Sequence, residues 1–262
     1  MRLIDLTRLL DPEDVRKLPK WAGTAPNLVP QIEYYAPAKE GAAVMSSLFG
    51  CKQEHLPDGE GWGDEKMTIT THLGTHVDAP LHYGSTCEGK PARTISDIDL
   101  NELYCDGFVL DLRGKCKPGE TIPVEVLKQA VAALDTPITA GSAIMLRTGQ
   151  ERYQIGEQEL FEYPGMRREG TLYLASLGAT VLGTDALGWD RPFRVMREAF
   201  AQNGDPQEIW DGHFAGRDKE VFIIQQLNNL AAVPSSGFKV GFFPMRLARC
   251  SAAPARVVAF VP

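Results

Sequence analysis

"THLGTHVDAPLHY", residues 71–83, holds three of the chain's five histidines together with an aspartate, a glycine and a proline. His72 and His76 are four residues apart, a spacing that would share one face of a helix. The neighbouring residues argue against one. Ile69 and Val77 and the threonines at 68, 70, 71 and 75 are β-branched, and Gly74 and Pro80 are the weakest helix formers. Strand parity fits better from Met67 to Asp78. Odd positions such as Met67, Ile69, Leu73 and Val77 suit a core, while His72, Gly74, His76 and Asp78 share the opposite face. Parity therefore predicts two imidazoles and a carboxylate side by side, with Gly74 as clearance between the rings. Pro80 ends the strand, and the turn brings His82 back to the same pocket.

His72, His76 and Asp78 form a ligand set for a borderline divalent ion such as zinc, manganese or iron. Three protein ligands leave positions for water and substrate, as in catalytic sites, and water on such an ion ionises near neutral pH. His82 is then placed to move protons. The same set of two histidines and one carboxylate also serves mononuclear iron oxygenases. A non-catalytic metal-binding protein would need the triad but not His82.

The chain of 262 residues is 44% hydrophobic and 23% charged, which supplies a sizeable core and is compatible with one domain over residues 1–262. Its 27 basic and 34 acidic residues give a net charge of −7, which disfavours nucleic-acid and anionic-membrane partners. Five cysteines without a C-x-x-C pair read as reduced thiols. Asp5 precedes any apolar run, so no signal peptide is expected, and a cytoplasmic location follows. Neither a nucleophile elbow, a P-loop nor a dinucleotide fingerprint is present.

Strands are predicted at 3–7, 108–112, 143–146, 180–183, 221–224, 238–243 and 256–261, and helices at 123–134 and 171–177. Strand–helix alternation in the middle with strands at both ends predicts one α/β domain with a mixed sheet. Residues 22–66 carry few periodic signals and read as a long loop, a lid or a subunit-contact segment. Trp21, Trp62 and Phe200 are packing residues by default, with the lining of an aromatic pocket as the alternative. His55 is expected to be exposed.

His72-x-Gly74-Thr75-His76-x-Asp78-x-Pro80-x-His82 resembles the signature of the cyclase family of metal-dependent hydrolases, which includes kynurenine formamidases and isatin hydrolases. Asp5-Leu6-Thr7, Gly183-Thr184-Asp185 and Pro244-Met245-Arg246-Leu247 resemble further family elements, although Gly188 stands where a serine is often found. The resemblance implies a swivelling β/α/β fold, dimers or larger homo-oligomers such as tetramers, and hydrolysis of a small-molecule amide or lactone. It implies metal binding by His72, His76 and Asp78, acid/base catalysis by His82, and an active-site role for His213. Where two-zinc formamidases carry a glutamate, this chain has Gln225, and an amide is a far weaker ligand for a dication. One Mn2+ or Zn2+ is therefore expected, with Gln225 and Thr75 positioning water or substrate. Opening of an isatin-like or dienelactone-like ring is the leading expectation; cleavage of N-formylkynurenine is the alternative.

Overall fold

The computed structural model describes residues 1–22 and 25–262; Gly23 and Thr24, within the expected loop, lie outside the described residues. The strands are β1 (Arg2–Asp5), β2 (Gln31–Tyr35), β3 (Asp64–Thr68), β4 (His76–Asp78), β5 (Thr86–Cys87) and β6 (Lys90–Pro91) in the first half. They continue as β7 (Tyr104–Asp111), β8 (Ala143–Arg147), β9 (Val181–Thr184), β10 (Phe222–Gln225), β11 (Phe238–Pro244) and β12 (Ala252–Val261). The helices are α1 (Ala42–Phe49), α2 (Val124–Ala132), α3 (Arg168–Ser176), α4 (Phe193–Asn203) and α5 (Asp211–Phe214).

β12, β11, β7, β8, β9, β10 and β4 follow one another around a mixed sheet. It closes on itself because β4 pairs antiparallel with both β10 and β12. The run from β7 to β10 is parallel, as the strand–helix alternation requires, and β1 is added antiparallel outside β12.

The period-two alternation of the central strands sorts their side chains onto two faces. Val109, Met145, Val181 and Ile224 pack with Val240 and Val257 in one core. Phe108, Ile144, Leu146, Leu182 and Ile223 face the other way, against Leu127 of α2 and Leu174 of α3. Each such aliphatic or aromatic side chain, wholly buried, stabilises the fold by about 1.5–3 kcal/mol. This second face also carries the candidate site.

Three expectations need correction. The strand predicted from Met67 to Asp78 is broken: β3 stops at Thr68, and regular pairing resumes only at His76. Gly74 causes the break, since its φ of +56 is left-handed backbone that favours glycine. A Cβ there would lie 2.5 Å from the Leu10 side chain, so the clearance Gly74 provides is towards Leu10 and not between the histidine rings. Residues 22–66 are no structureless loop, because β2 and β3 form an antiparallel hairpin and α1 lies between them. The α4 helix was not anticipated; Phe193, Met196 and Phe200 recur at spacings of three and four, but of its residues only Met196 is buried. Among the described residues no helix is long and apolar enough to cross a membrane.

Candidate metal centre

β4 is three residues long and wholly buried. Val77 joins the enclosed core, so His76 and Asp78 both point to the opposite face. Across the antiparallel pair, Gln225 lies opposite His76 and Ile223 opposite Asp78, which puts the Gln225 side chain on that same face. Parity thus governs His76 and Asp78, but His72 arrives from the turn before Gly74. Its Nδ1 lies 2.9 Å from Asp78 Oδ1, and His76 Nε2 lies 3.4 Å from the same oxygen. Pro80–His82 forms a single 3-10 turn that folds His82 back, with its ring centroid 4.0 Å from that of His72. His72, Asp78 and His82 each place a ligand atom within 4.8 Å of the others.

The donor set fits a cation. His76 Nε2 and Asp78 Oδ1 are buried and have no hydrogen-bond partner. A buried polar atom without a partner costs about 1–3 kcal/mol, more when charged, so two on one point need a shared partner. His76 Nδ1 lies 2.7 Å from the Gly74 carbonyl; donation there leaves the lone pair on Nε2, facing the cluster. Burial pushes the Asp78 carboxyl up, but the adjacent His76, His213 and His72 rings outweigh it and hold the carboxyl well below the usual range.

The other carboxylate oxygen is held from behind. Gln225 Nε2 donates to Asp78 Oδ2 at 2.5 Å and lies 3.2 Å from His213 Nε2. His213 is buried, and its Nδ1 is bonded to Asp190 Oδ2. Asp190 also accepts from the backbone N–H groups of Gly212 and His213. Burial alone would lower the pKa of His213; the charge and hydrogen bond of Asp190, with Asp78, raise it to about 9. His82 goes the other way. Burial, reinforced by the neighbouring histidines, outweighs Asp78 and lowers it to about 3, which leaves the ring neutral at physiological pH.

Trp210 stacks on His213 at 4.3 Å and meets His82 edge-on at 4.8 Å. These groups line a cleft of about 940 Å3 whose walls include Trp21, Leu28, Phe161, Tyr163 and Met196. Trp21 therefore belongs to the cleft, whereas Trp62 and Phe200 are absent from its lining. Thr75, expected to position water or substrate, has its hydroxyl engaged elsewhere. It donates to the Gln226 carbonyl and accepts from the Arg8 N–H, tying three segments together. His55 is exposed, as expected. Asp190 and Trp210 were missed in the sequence. Trp210 could have been found from its place three residues before His213, and Asp190 from its place five residues after Asp185.

The cyclase family model ("Putative cyclase") matches residues 4–191. Isatin hydrolase of Roseibium aggregatum is 24% identical over 219 residues, covering 80% of this chain and 79% of its own. Kynurenine formamidase of Delftia acidovorans is 24% identical over 192 residues, covering 73% of this chain and 77% of its own. The crystal structure of an isatin hydrolase bound to the product analogue thioisatinate superposes with a TM-score of 0.72 at 22% identity, over 100% of this chain and 92% of that one. Isatin hydrolase A from Ralstonia solanacearum gives 0.74 at 20% identity, again over 100% and 92%. At these identities the structural likeness speaks for the fold, while the family match over residues 4–191 is specific: the chain belongs to the cyclase family.

Proposed function

We propose that this protein is a metal-dependent hydrolase that opens a small cyclic amide or lactone. The observation that carries the reading is the convergence of His72 Nδ1 with two unpartnered buried atoms, His76 Nε2 and Asp78 Oδ1, beside a neutral His82. His72, His76 and Asp78 would hold one Mn2+ or Zn2+. When bound, such an ion supplies Lewis-acid polarisation of a carbonyl and a water of lowered pKa.

The protein's own groups do the rest. His82 accepts a proton from the attacking water and returns it to the leaving nitrogen or oxygen as the C–N or C–O bond breaks. A neutral imidazole suits the first of these tasks. Asp190 fixes His213, and Gln225 fixes Asp78, so neither side chain drifts as charge develops. Trp210, Leu28 and Met196 give the cleft apolar walls that accept a flat ring and exclude bulk water.

Gln225 supports a single ion. Its amide N–H groups lie between Asp78 Oδ2 and His213 Nε2, so that side of the carboxylate already has a donor. The one-ion, ring-opening reading is favoured over cleavage of N-formylkynurenine for that reason. A homo-oligomer is also proposed, because the β2–α1–β3 arm exposes Tyr34, Val44, Leu48 and Phe49. Light scattering tests it, and a monomer at micromolar concentration would refute it. A cytoplasmic location is proposed as well; among the described residues no helix is long and apolar enough to cross a membrane.

The test of the reaction is metal analysis followed by hydrolysis assays on isatin, N-formylkynurenine and small unsaturated lactones. Anaerobic turnover of one of them with about one Mn2+ or Zn2+ per chain is expected. No turnover after supply of zinc, manganese or iron would overturn the reading, and a strict need for oxygen would point to an oxygenase.

A further inference from the structure

The lining of the cleft holds a polar group that the reaction above does not use. Tyr163 is 7% exposed and lines the cleft. Its hydroxyl has no hydrogen-bond partner among the described residues; its pKa is raised by burial and then by the charge of Asp190. The ring is buried while the hydroxyl keeps access to the cleft, where water or a bound molecule can pair with it.

The hydroxyl is held where it is by a missing side chain. A Cβ on Gly188 would lie 2.6 Å from Tyr163 Oη and 3.3 Å from its ring carbon. Gly188 also lines the cleft. The two segments cannot separate to make room, because the Met166 N–H donates to the Trp189 carbonyl at 2.7 Å. A Cβ on Gly165 would lie 2.1 Å from the Arg191 nitrogen. Any side chain at position 188 would therefore push the Tyr163 ring away. The same short stretch continues to Asp190, which anchors His213, so the phenol and the histidine cluster are set by one piece of backbone.

We propose that Tyr163 is a substrate-recognition residue. Its hydroxyl donates a hydrogen bond to a second acceptor of the substrate, other than the carbonyl that is attacked, and Gly188 makes that approach possible. The substrate class is narrowed to planar cyclic amides or lactones that carry a further carbonyl or ring heteroatom. This rests on the hydrolase reading for which bond is cleaved, but not for the binding step.

The test compares two bicyclic lactams, isatin and 2-oxindole, which lacks isatin's second carbonyl. Binding to the full-length protein as purified is read by stopped-flow tryptophan quenching, before any hydrolysis. Tyr163→Phe is expected to weaken isatin about tenfold and to leave 2-oxindole within about twofold, since one neutral hydrogen bond is lost. Gly188→Ala should lose the same discrimination. The double variant should be no worse than Tyr163→Phe alone, because both changes remove one interaction. Melting temperatures close to wild type exclude a general loss of structure. Tyr163→Phe that binds both compounds as wild type does, or weakens both equally, overturns the proposal, as does wild type that binds neither. Discriminating binding without turnover would overturn the hydrolase reading and leave this one standing.

Discussion

His76 and Asp78 reach the candidate centre on a strand, whereas His72 and His82 reach it on turns. The strand pair is buried and fixed by ladders on both sides, to β10 and to β12. The turn pair is partly exposed, with 26% of the His72 side chain open to solvent, and no sheet holds it. Groups that must keep a cation need fixed geometry, and groups that pass protons need contact with water. Of the three proposed ligands, His76 and Asp78 sit on the strand while His72 arrives on a turn beside His82, so anchoring differs within the ligand set. That difference in anchoring is why the two pairs should respond differently when disturbed.

The largest effect is expected from the strand pair. His76→Ala should reduce bound metal and turnover to background; retention of one metal equivalent by plasma emission analysis would break the comparison. His82→Ala should keep the metal and lower kcat by about 10²–10⁴-fold, the range for loss of a general acid or base. Loss of metal in that variant would make His82 a ligand, as its nearness to His72 and Asp78 allows. Gln225→Leu removes the donor behind Asp78 and should weaken metal affinity about 10–100-fold, read by competition with a chelating dye. Unchanged affinity would mean that the strand alone positions the carboxylate.

The smallest effect concerns the pH dependence of the metal-free protein. His213 has a folded pKa of about 9, above its ordinary 6.5, so folding favours its protonated form. Its stabilising contribution is complete below pH 6.5 and is lost as pH rises through about 9. The melting temperature of chelated protein should decline across that window, and Asp190→Asn should flatten the decline. A flat profile in the parent protein would show that the Asp190–His213 pair is not coupled to folding.

Much of the sheet was legible because buried parallel strands are short apolar runs. Phe108 to Leu112, Ala143 to Leu146 and Val221 to Ile224 each overlap an observed strand within a residue or a few. The hairpin of residues 31–35 and 64–68 was not legible. Its strands are mostly exposed and rich in charge, so they lack the apolar alternation that marks a half-buried strand. The α4 helix did carry a helical period in Phe193, Met196 and Phe200, and was passed over although the period was there to read.

By itself, the sequence determined the chemistry available to the protein: the histidines and the carboxylate of residues 72–82, their parity over His76 to Asp78, and the amide at Gln225. These are local facts, fixed by side-chain type and by the alternation of extended backbone. Only the tertiary structure decided which groups meet. The left-handed Gly74 breaks the strand and sends His72 in from a turn, and sheet register sets Gln225 opposite His76. Asp190 reaches His213, and Tyr163 meets Gly188, through packing between segments distant in sequence. Spacing along a chain specifies direction over a few residues, and closure of the sheet specifies everything beyond that.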